Sequence, residues 1–123
     1  CLTQRGYDLM DMGCEDSGSV DYVDYAKPVC EAVQTGVCQR GILICGTGVG
    51  MSIAANKFKG IRCALCGETV TARLTREHNV LALGGRIIGG EVARAIALVW
   101  LETDYTRQER HARRIEKIQK LED

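Results

Sequence analysis

Four short aliphatic segments alternate with stretches of helical periodicity along this chain of 123 residues. The segments have the composition of strands and cover residues 7–12, 41–45, 61–66 and 80–85. Helical crossovers between successive strands require a parallel sheet that carries helices on both faces. The sequence therefore predicts one α/β domain over residues 1–123, an open three-layer sandwich around a parallel Rossmann-like sheet.

Apolar residues recur at three- and four-residue steps between these segments, which predicts a helix in each interval. The predicted inward-facing positions are Tyr25, Val29, Ala32 and Val33, then Ile53, Ala54 and Phe58, then Val70, Leu74 and His78, then Val92, Ile96, Val99 and Trp100. If Asp24 is the N-cap of its helix, Pro28 falls in the first turn, where proline is tolerated. A polar extended C-terminal helix is predicted over 106–121, and its thin apolar stripe favours packing on a partner subunit.

Composition excludes several classes of protein. Sixteen basic residues balance sixteen acidic ones, so the net charge does not favour a nucleic-acid partner. No apolar run approaches the roughly 20 residues of a membrane span, and we expect no signal segment, because the first residues lack a basic region followed by an apolar stretch. Seven irregularly spaced cysteines indicate reduced thiols and a cytoplasmic location. Cys63 and Cys66 form a CxxC, but on a strand they point to opposite faces and cannot hold one ion.

A thiol and a glycine-rich turn follow the most hydrophobic strand. Cys45 ends this strand, and glycines follow at positions 46, 48 and 50. Ligands of open parallel sheets bind beyond the carboxyl ends of the strands. A helix beginning near Gly48 adds its positive end to the amides of the turn. The pattern predicts an anion site with a thiol at its edge, in a field that favours the thiolate.

Three chemistries could use a turn of this kind, and a purely structural role is the alternative to them. A dinucleotide site is disfavoured because Met51 stands where the third glycine should be, although Glu68 lies at a suitable spacing. A cysteine phosphatase is rejected because an arginine is needed at the position of Met51. Proton transfer next to a carbonyl needs a base and a row of amide donors, which this turn supplies. A buried thiol beside an ordinary turn remains the alternative.

Four stretches of this chain resemble, in the same order, stretches of the type B ribose-5-phosphate isomerases, relatives of the galactose-6-phosphate isomerase subunits. They are GILICGTGVGMSIAANKFKGIRCAL, TREHN, LGGRIIG and RHARRI. The resemblance covers nearly the whole chain. It implies an enzyme of the pentose phosphate pathway that interconverts ribose 5-phosphate and ribulose 5-phosphate through a cis-enediolate, without metal or cofactor. The alternatives are an isomerase of allose or galactose 6-phosphate and, in another class, a nucleotide-binding Rossmann-like module.

The resemblance also assigns catalytic roles to residues of this chain. Cys45 matches the base that moves a proton between C1 and C2, and Thr47 matches a hydroxyl that assists at the ring oxygen. His78 matches the histidine that opens the sugar ring, and Asn79 a neighbour that binds sugar hydroxyls. The amides that stabilise the intermediate's charge match those of Gly46, Gly48, Val49 and Gly50.

The phosphate is expected to bind arginines from two subunits. Arg110 and Arg114 match residues that reach the phosphate from the partner subunit, and Arg86 matches another arginine of the pocket. Tyr22 resembles a substrate-contacting tyrosine of a "DYP" motif, although Val23 replaces the proline. The resemblance thus implies a homodimer, or a dimer of dimers, whose active sites are shared. It implies a phosphorylated pentose as substrate, and no nucleic acid or membrane as partner.

The resemblance fails at two places. Family members begin with a strand that ends in Asp-His-Gly-Gly, and they have a few more residues after the position of Asn79. The present sequence has neither segment. Loss of a central strand would leave two unpaired sheet edges, so we expect both segments to be missing from the sequence as given rather than from the protein.

Overall fold

The computed structural model describes residues 21–75, 78–103 and 109–122, which form three strands and five helices. In chain order these are α1 (Tyr22–Gln34), β1 (Gly41–Cys45), α2 (Val49–Ala55), β2 (Cys63–Leu65), α3 (Thr69–Leu74), β3 (Val80–Gly84), α4 (Gly90–Glu102) and α5 (Glu109–Lys120). The strand predicted over 7–12 and the first three residues of the predicted last helix lie outside the described residues.

The three strands form a parallel sheet in the order β1-β3-β2. The register of β1 and β3 runs from Gly41 opposite Val80 to Cys45 opposite Gly84. All five residues of β3 are buried, as expected of a central strand covered on both faces. The parallel sheet is thereby confirmed. Of the predicted strand bounds, 41–45 is correct, whereas 61–66 shortens to Cys63–Leu65.

Helices cover both faces of the sheet, and each face has its own core. Helices α1 and α2 close the first core, whose buried residues are Ala26, Cys30, Leu43, Met51, Ala55, Ile61, Cys63, Val80 and Ala82. Helices α3 and α4 close the second core, made of Cys66, Ala72, Leu81, Leu83, Ile96, Ala97 and Trp100. The three-layer sandwich is confirmed. Cys63 and Cys66 lie in different cores, so the prediction that they point to opposite faces of the sheet is confirmed.

Helix α1 begins three residues earlier than predicted. Its N-cap is Asp21, so the prediction that Asp24 caps the helix is wrong, and Pro28 lies inside the helix rather than in its first turn. An internal proline removes one backbone hydrogen bond and costs about 3 kcal/mol. Ala26 and Cys30, on either side of it, are fully buried in the first core. Tertiary packing therefore offsets the local cost.

The predicted inward faces of α2 and α3 are partly wrong. Ile53, Val70 and Leu74 are each more than half exposed. Alanines face the sheet instead, Ala55 in α2 and Ala72 in α3, and both are fully buried. Small residues at these positions let short helices lie close to the sheet, and they leave large apolar side chains on the outer surface.

The Arg40 side chain links the last turn of α4 to the start of β1. Its guanidinium lies 5.4 Å from the centroid of the Trp100 ring. Its Nη1 also donates to the carbonyls of Trp100, at 3.1 Å, and of Leu101, at 3.3 Å. A cation is favourable both over an indole face and at a helix C-terminus. Trp100, which is predicted to face inward, is fully buried beneath this contact.

Helix α5 presents a narrow apolar stripe. Ile115 is half-buried, whereas Ile118 and Leu121 are exposed. Beyond the helix, the Glu122 carboxylate accepts from the Gly60 N–H through both oxygens, at 2.9 and 3.1 Å. This contact ties the end of α5 to the turn that precedes β2.

Two buried thiols predict a loss of stability at alkaline pH. Burial raises the pKa of Cys30 from 9.0 to about 11 and that of Cys63 to about 12. Above about pH 9 the unfolded chain releases these protons while the folded chain keeps them, so the free energy of unfolding should fall as the pH rises toward 11. Urea denaturation at several pH values measures this, and Cys63→Ala is the control. The variant should lose stability less steeply, and an unchanged slope would contradict the assignment.

Candidate active site

The turns after β1 and β3 lie side by side at the carboxyl edge of the sheet. Cys45 and Gly84 are register partners at the ends of these strands. The Gly85 N–H donates to the Cys45 carbonyl at 2.7 Å, and the Arg86 N–H donates to the Gly46 carbonyl at 2.9 Å. Open parallel sheets bind their ligands at this edge. The predicted position of Cys45 at the edge is thus confirmed.

The glycine turn folds back over the Cys45 thiol. Gly48 has a φ of +81°, a backbone conformation that glycine adopts without strain, and it is the N-cap of α2 as predicted. Its N–H donates to Cys45 Sγ at 3.1 Å. An N–H aimed at the sulfur stabilises a thiolate more than a thiol. Cys45 as a residue is half-buried, and the turn holds its sulfur.

The amides of the turn divide into two groups. The Gly48 N–H is occupied by the sulfur, and the Val49 N–H donates to Thr47 Oγ1 at 3.3 Å. The N–H groups of Gly46, Thr47 and Gly50 have no protein acceptor within the described part of the chain. These three donors, rather than the whole row, are therefore available to a bound oxyanion.

Gly84 lets the turn approach β3 closely. A Cβ at Gly84 would lie 2.5 Å from the Thr47 carbonyl oxygen, which is too close for any side chain. A Cβ at Gly48 would lie 2.5 Å from Leu65 Cδ1 and 3.0 Å from the Leu83 carbonyl carbon. The glycine turn after Cys45 therefore packs directly against the central strand, β3.

Arg86 brings a positive charge to the turn. A Cβ built on Gly46 would be 3.4 Å from Arg86 Cδ and 3.6 Å from its Nε, so the arginine side chain lies directly over the Gly46 backbone. Arg86 is exposed, and it forms no ion pair within the described residues. The structure thus brings together Cys45, the turn amides and a guanidinium suited to an anion.

His78 and Asn79 lie at the opposite edge of the sheet from Cys45. They directly precede Val80, the first residue of β3, and Cys45 is level with Gly84 at the other end of that strand. At about 3.3 Å per residue, the two ends of β3 are roughly 13 Å apart. Within one chain, the structure does not bring these two residues to the thiol.

The Asn79 side chain binds the chain's own backbone. Its Nδ2 donates to the Gly60 carbonyl at 2.7 Å, and its Oδ1 accepts from the Arg62 N–H at 2.7 Å. Asn79 therefore fastens the turn before β2 to the start of β3. The only sequence signal for this role is the position of an asparagine just before a strand. The sugar-binding role of Asn79 stays a prediction.

The remaining predicted residues are away from this cluster or outside the described side chains. Arg110 and Arg114 lie on successive turns of α5, where both are exposed and form no hydrogen bond or ion pair within the described residues. Tyr22 is the first residue of α1, and its side chain lies outside the described part of the structure.

Glu68 has a structural role that argues against a dinucleotide site. Its carboxylate accepts from the Thr71 N–H at 2.9 Å and from the Thr71 hydroxyl, so it caps α3. A dinucleotide fold needs its acidic residue at the end of the strand beside the glycine turn. Here β3 separates β1 from β2, so Glu68 is one strand too far away.

No metal site is formed by the residues that the structure describes. Within them, no three His, Cys, Asp or Glu side chains are grouped so that they could hold an ion. The described polar groups of the Cys45 turn and the adjoining Arg86 are a thiol, backbone amides, the Thr47 hydroxyl and a guanidinium.

The fold and this cluster define an α/β protein with a candidate anion site. At the carboxyl edge of its parallel sheet, a thiol that is a potential base accepts from a glycine-turn amide and lies beside an arginine. The family comparison gives this class a name. The chain belongs to the Ribose/Galactose Isomerase family, whose family model matches residues 1–118.

Individual relatives agree with the family assignment. The chain is 58% identical over 120 residues to a putative sugar phosphate isomerase of Bacillus subtilis (strain 168), covering 94% of this chain and 80% of that protein. It is 48% identical over 124 residues to ribose-5-phosphate isomerase B of Escherichia coli (strain K12), covering 98% and 83%. The solved structure of ribose-5-phosphate isomerase B from Clostridium thermocellum superposes with a TM-score of 0.95 at 47% identity, covering 98% of this chain and 83% of that one. The predicted fold and the predicted family are both confirmed.

Proposed function

We propose that this protein is an aldose–ketose isomerase that interconverts ribose 5-phosphate and ribulose 5-phosphate. The observation that carries the proposal is the Gly48 N–H bound to Cys45 Sγ at 3.1 Å, at the edge where the sheet binds ligands. The relative from Escherichia coli, 48% identical, is named for this activity. A buried structural thiol would need neither the amide on its sulfur nor the guanidinium of Arg86 beside it.

The geometry supports proton transfer through a cis-enediolate. The Cys45 thiolate removes the C2 proton of the open-chain aldose, and the electron pair moves into a C1–C2 double bond as the aldehyde oxygen becomes negative. The amides of Gly46, Thr47 and Gly50 are donors for that oxygen. The protonated thiol then returns its proton to C1, and the proton of the 2-hydroxyl passes to the oxygen on C1, so that C2 becomes the carbonyl of the ketose and C1 carries the hydroxyl. General base catalysis of this kind contributes about 10²- to 10⁴-fold.

The position of His78 supports active sites shared between subunits. His78 lies at the edge of the sheet opposite Cys45, so a role in ring opening requires a second copy of the chain. Val70 and Leu74, on the helix that precedes His78, expose apolar side chains that a subunit contact would cover. We therefore propose a homodimer in which one subunit's His78 completes the site of the other.

The arginines of α5 are proposed to hold the phosphate of the substrate. Arg110 and Arg114 are four residues apart, so they project from the same face of the helix. Two guanidinium forks suit a phosphate dianion better than point charges do. The exposed Ile118 on the same helix supports a packing partner beyond its own subunit.

The five described cysteines, Cys30, Cys38, Cys45, Cys63 and Cys66, are all free thiols. This supports a reducing compartment, and we propose the cytoplasm. In 21–75, 78–103 and 109–122, none of the helices combines the length and the apolar character that crossing a bilayer demands.

The deciding experiment is a substrate comparison with purified protein. We expect turnover of ribose 5-phosphate to exceed that of allose 6-phosphate and galactose 6-phosphate, and to continue in the presence of a metal chelator. A preference for a hexose phosphate would show that the enzyme is instead an isomerase of allose or galactose 6-phosphate. Absence of isomerisation, together with nucleotide binding that survives Cys45→Ala, would favour the nucleotide-binding module.

Gly84→Ala should reduce activity through the backbone alone. The added Cβ would meet the Thr47 carbonyl oxygen at 2.5 Å and lift the turn that carries the amides and the sulfur. A displacement of about 1 Å at reacting groups can cost about 100-fold in rate, so kcat/KM should fall by about that factor. Gly85→Ala is the matched control, because its Cβ would meet Ile44 Cγ2 at 3.4 Å. Equal activity of the two variants, both folded by circular dichroism, would show that the close approach is unimportant.

A further inference from the structure

The carboxylate of Glu122 ties the end of α5 to the sheet domain. Both of its oxygens accept from the Gly60 N–H, at 2.9 and 3.1 Å. No other group of residues 109–122 forms a hydrogen bond or an ion pair with a described residue outside that segment. Ile118 and Leu121 are exposed, so these two side chains add little packing on the subunit's own core. The Glu122 contact therefore constrains where the end of α5 lies.

The Gly60 peptide that Glu122 binds is itself held from two sides. Its carbonyl accepts from Asn79 Nδ2 at 2.7 Å, and the preceding carbonyl, of Lys59, accepts from Gln34 Nε2 at 2.8 Å. The first donor comes from the residue before β3 and the second from the last residue of α1. Glu122 thus binds a point that the domain keeps in place, and an ionised acceptor makes the contact stronger than a neutral one would.

The positions of Arg110 and Arg114 depend on the direction of α5. At 1.5 Å per residue, Arg114 and Arg110 lie about 12 and 18 Å along the helix axis from Glu122. A tilt of about 10° at the anchored end would displace Arg110 by about 3 Å, which is more than a hydrogen bond to a phosphate tolerates. The contact at Gly60 can therefore decide whether these guanidinium groups reach a bound anion.

We propose that Glu122 is a positioning residue for phosphate binding: its carboxylate, bound to the Gly60 N–H, fixes the direction of α5 and so places Arg110 and Arg114 on the phosphate of the substrate. This inference rests on the proposed function, because it needs these two arginines to hold that phosphate. The direct electrostatic effect of the carboxylate has the opposite sign, since negative charge on the same segment weakens the binding of an anion. Removal of Glu122 therefore weakens phosphate binding if the residue positions the helix and strengthens it if only its charge matters.

Glu122→Ala tests this role through the KM of ribose 5-phosphate and the inhibition constant of inorganic phosphate. We expect both constants to rise about tenfold while kcat stays within about twofold, because the groups around Cys45 are unchanged. Glu122→Gln keeps an oxygen that can accept from the Gly60 N–H, so it should return both constants to within about twofold of wild type. Glu116→Ala is the matched control. It removes an exposed carboxylate of α5 that pairs with Lys120 at 3.7 Å, and it should raise neither constant.

A further variant shows whether the effect passes through the arginines. In a protein that already carries Arg110→Ala and Arg114→Ala, the additional change Glu122→Ala should alter the KM by less than about twofold, because the groups that the carboxylate positions are gone. A tenfold rise in this background as well would show that Glu122 acts elsewhere, and it would overturn the proposal.

The outcomes separate this inference from the proposed function. If the wild type isomerises ribose 5-phosphate but Glu122→Ala leaves both constants unchanged, or Glu122→Gln is equally impaired, the positioning role is refuted and the proposed function stands. If the wild type isomerises no sugar phosphate, the proposed function fails, and calorimetric titration with inorganic phosphate decides the positioning role. Binding that Glu122→Ala weakens supports it, and equal binding or none refutes it. If Glu122→Ala does not fold by circular dichroism, Glu122→Asp, which keeps the charge but shortens the side chain by a methylene, replaces it with the same expected direction.

Discussion

Cys45→Ser should lower kcat for ribose 5-phosphate isomerisation by about 1,000-fold, with KM changed by less than about threefold. Serine keeps the shape of the side chain and can still accept the Gly48 N–H. Its hydroxyl, however, is a far weaker base than a thiolate at neutral pH, so the step that takes the C2 proton is lost while the sugar phosphate still binds. Steady-state kinetics and calorimetric titration with ribose 5-phosphate measure the two effects separately.

Cys38→Ser is the matched control for this change. Cys38 is also a half-buried free thiol, but it lies before β1, at the edge of the sheet opposite the turn. This variant should keep wild-type kcat and KM. If Cys45→Ser retained more than about a tenth of the wild-type kcat, the thiol could not be the base of this reaction.

Two inactive variants should restore activity when their subunits are mixed. Cys45→Ala lacks the proposed base, and His78→Ala lacks the proposed ring-opening group at the far edge of the sheet. In a mixed dimer one of the two shared sites contains both native residues, so random assortment of equal amounts should recover about a quarter of wild-type activity. The subunits are exchanged by mild denaturation and refolding, and turnover is followed afterwards.

The control for this mixture is the double variant. Cys45→Ala mixed with Cys45→Ala/His78→Ala supplies no chain with the native thiol, so it should recover nothing. If the first mixture also remained inactive although size exclusion showed dimers, each site would have to take both residues from one chain. That result would contradict shared sites, and the present separation of His78 from Cys45 would then need a different explanation.

Local features of this molecule could be predicted from its sequence. The strand that ends at Cys45, the turn after it and the start of α2 near Gly48 depend on neighbouring residues, because strand composition and glycine conformations act over a few positions. The opposite faces of Cys63 and Cys66 follow from the period of a strand. These elements are where the structure and the expectations agree.

Features that depend on tertiary structure could not be predicted in this way. Six- and seven-residue helices such as α3 and α2 have too few turns to define an inward face, so the apolar spacing predicts the wrong side for Val70 and Leu74. Asp24 is a reasonable cap in isolation, but α1 begins three residues earlier, and Ala26 and Cys30 pack in the core on either side of the proline. The separation of His78 from the thiol follows from strand direction and order, which a single segment does not contain.

Trp100 is the sole tryptophan of the chain, and it is enclosed between a guanidinium and a main-chain carbonyl that also contacts His78. Indole fluorescence depends on the charges and hydrogen bonds around the ring. Trp100 is therefore an intrinsic fluorophore that shares one hydrogen-bonding partner, the Thr75 carbonyl, with the proposed catalytic residue His78. Sugar-phosphate binding and subunit dissociation on dilution can consequently be followed by intrinsic tryptophan fluorescence, without an attached label.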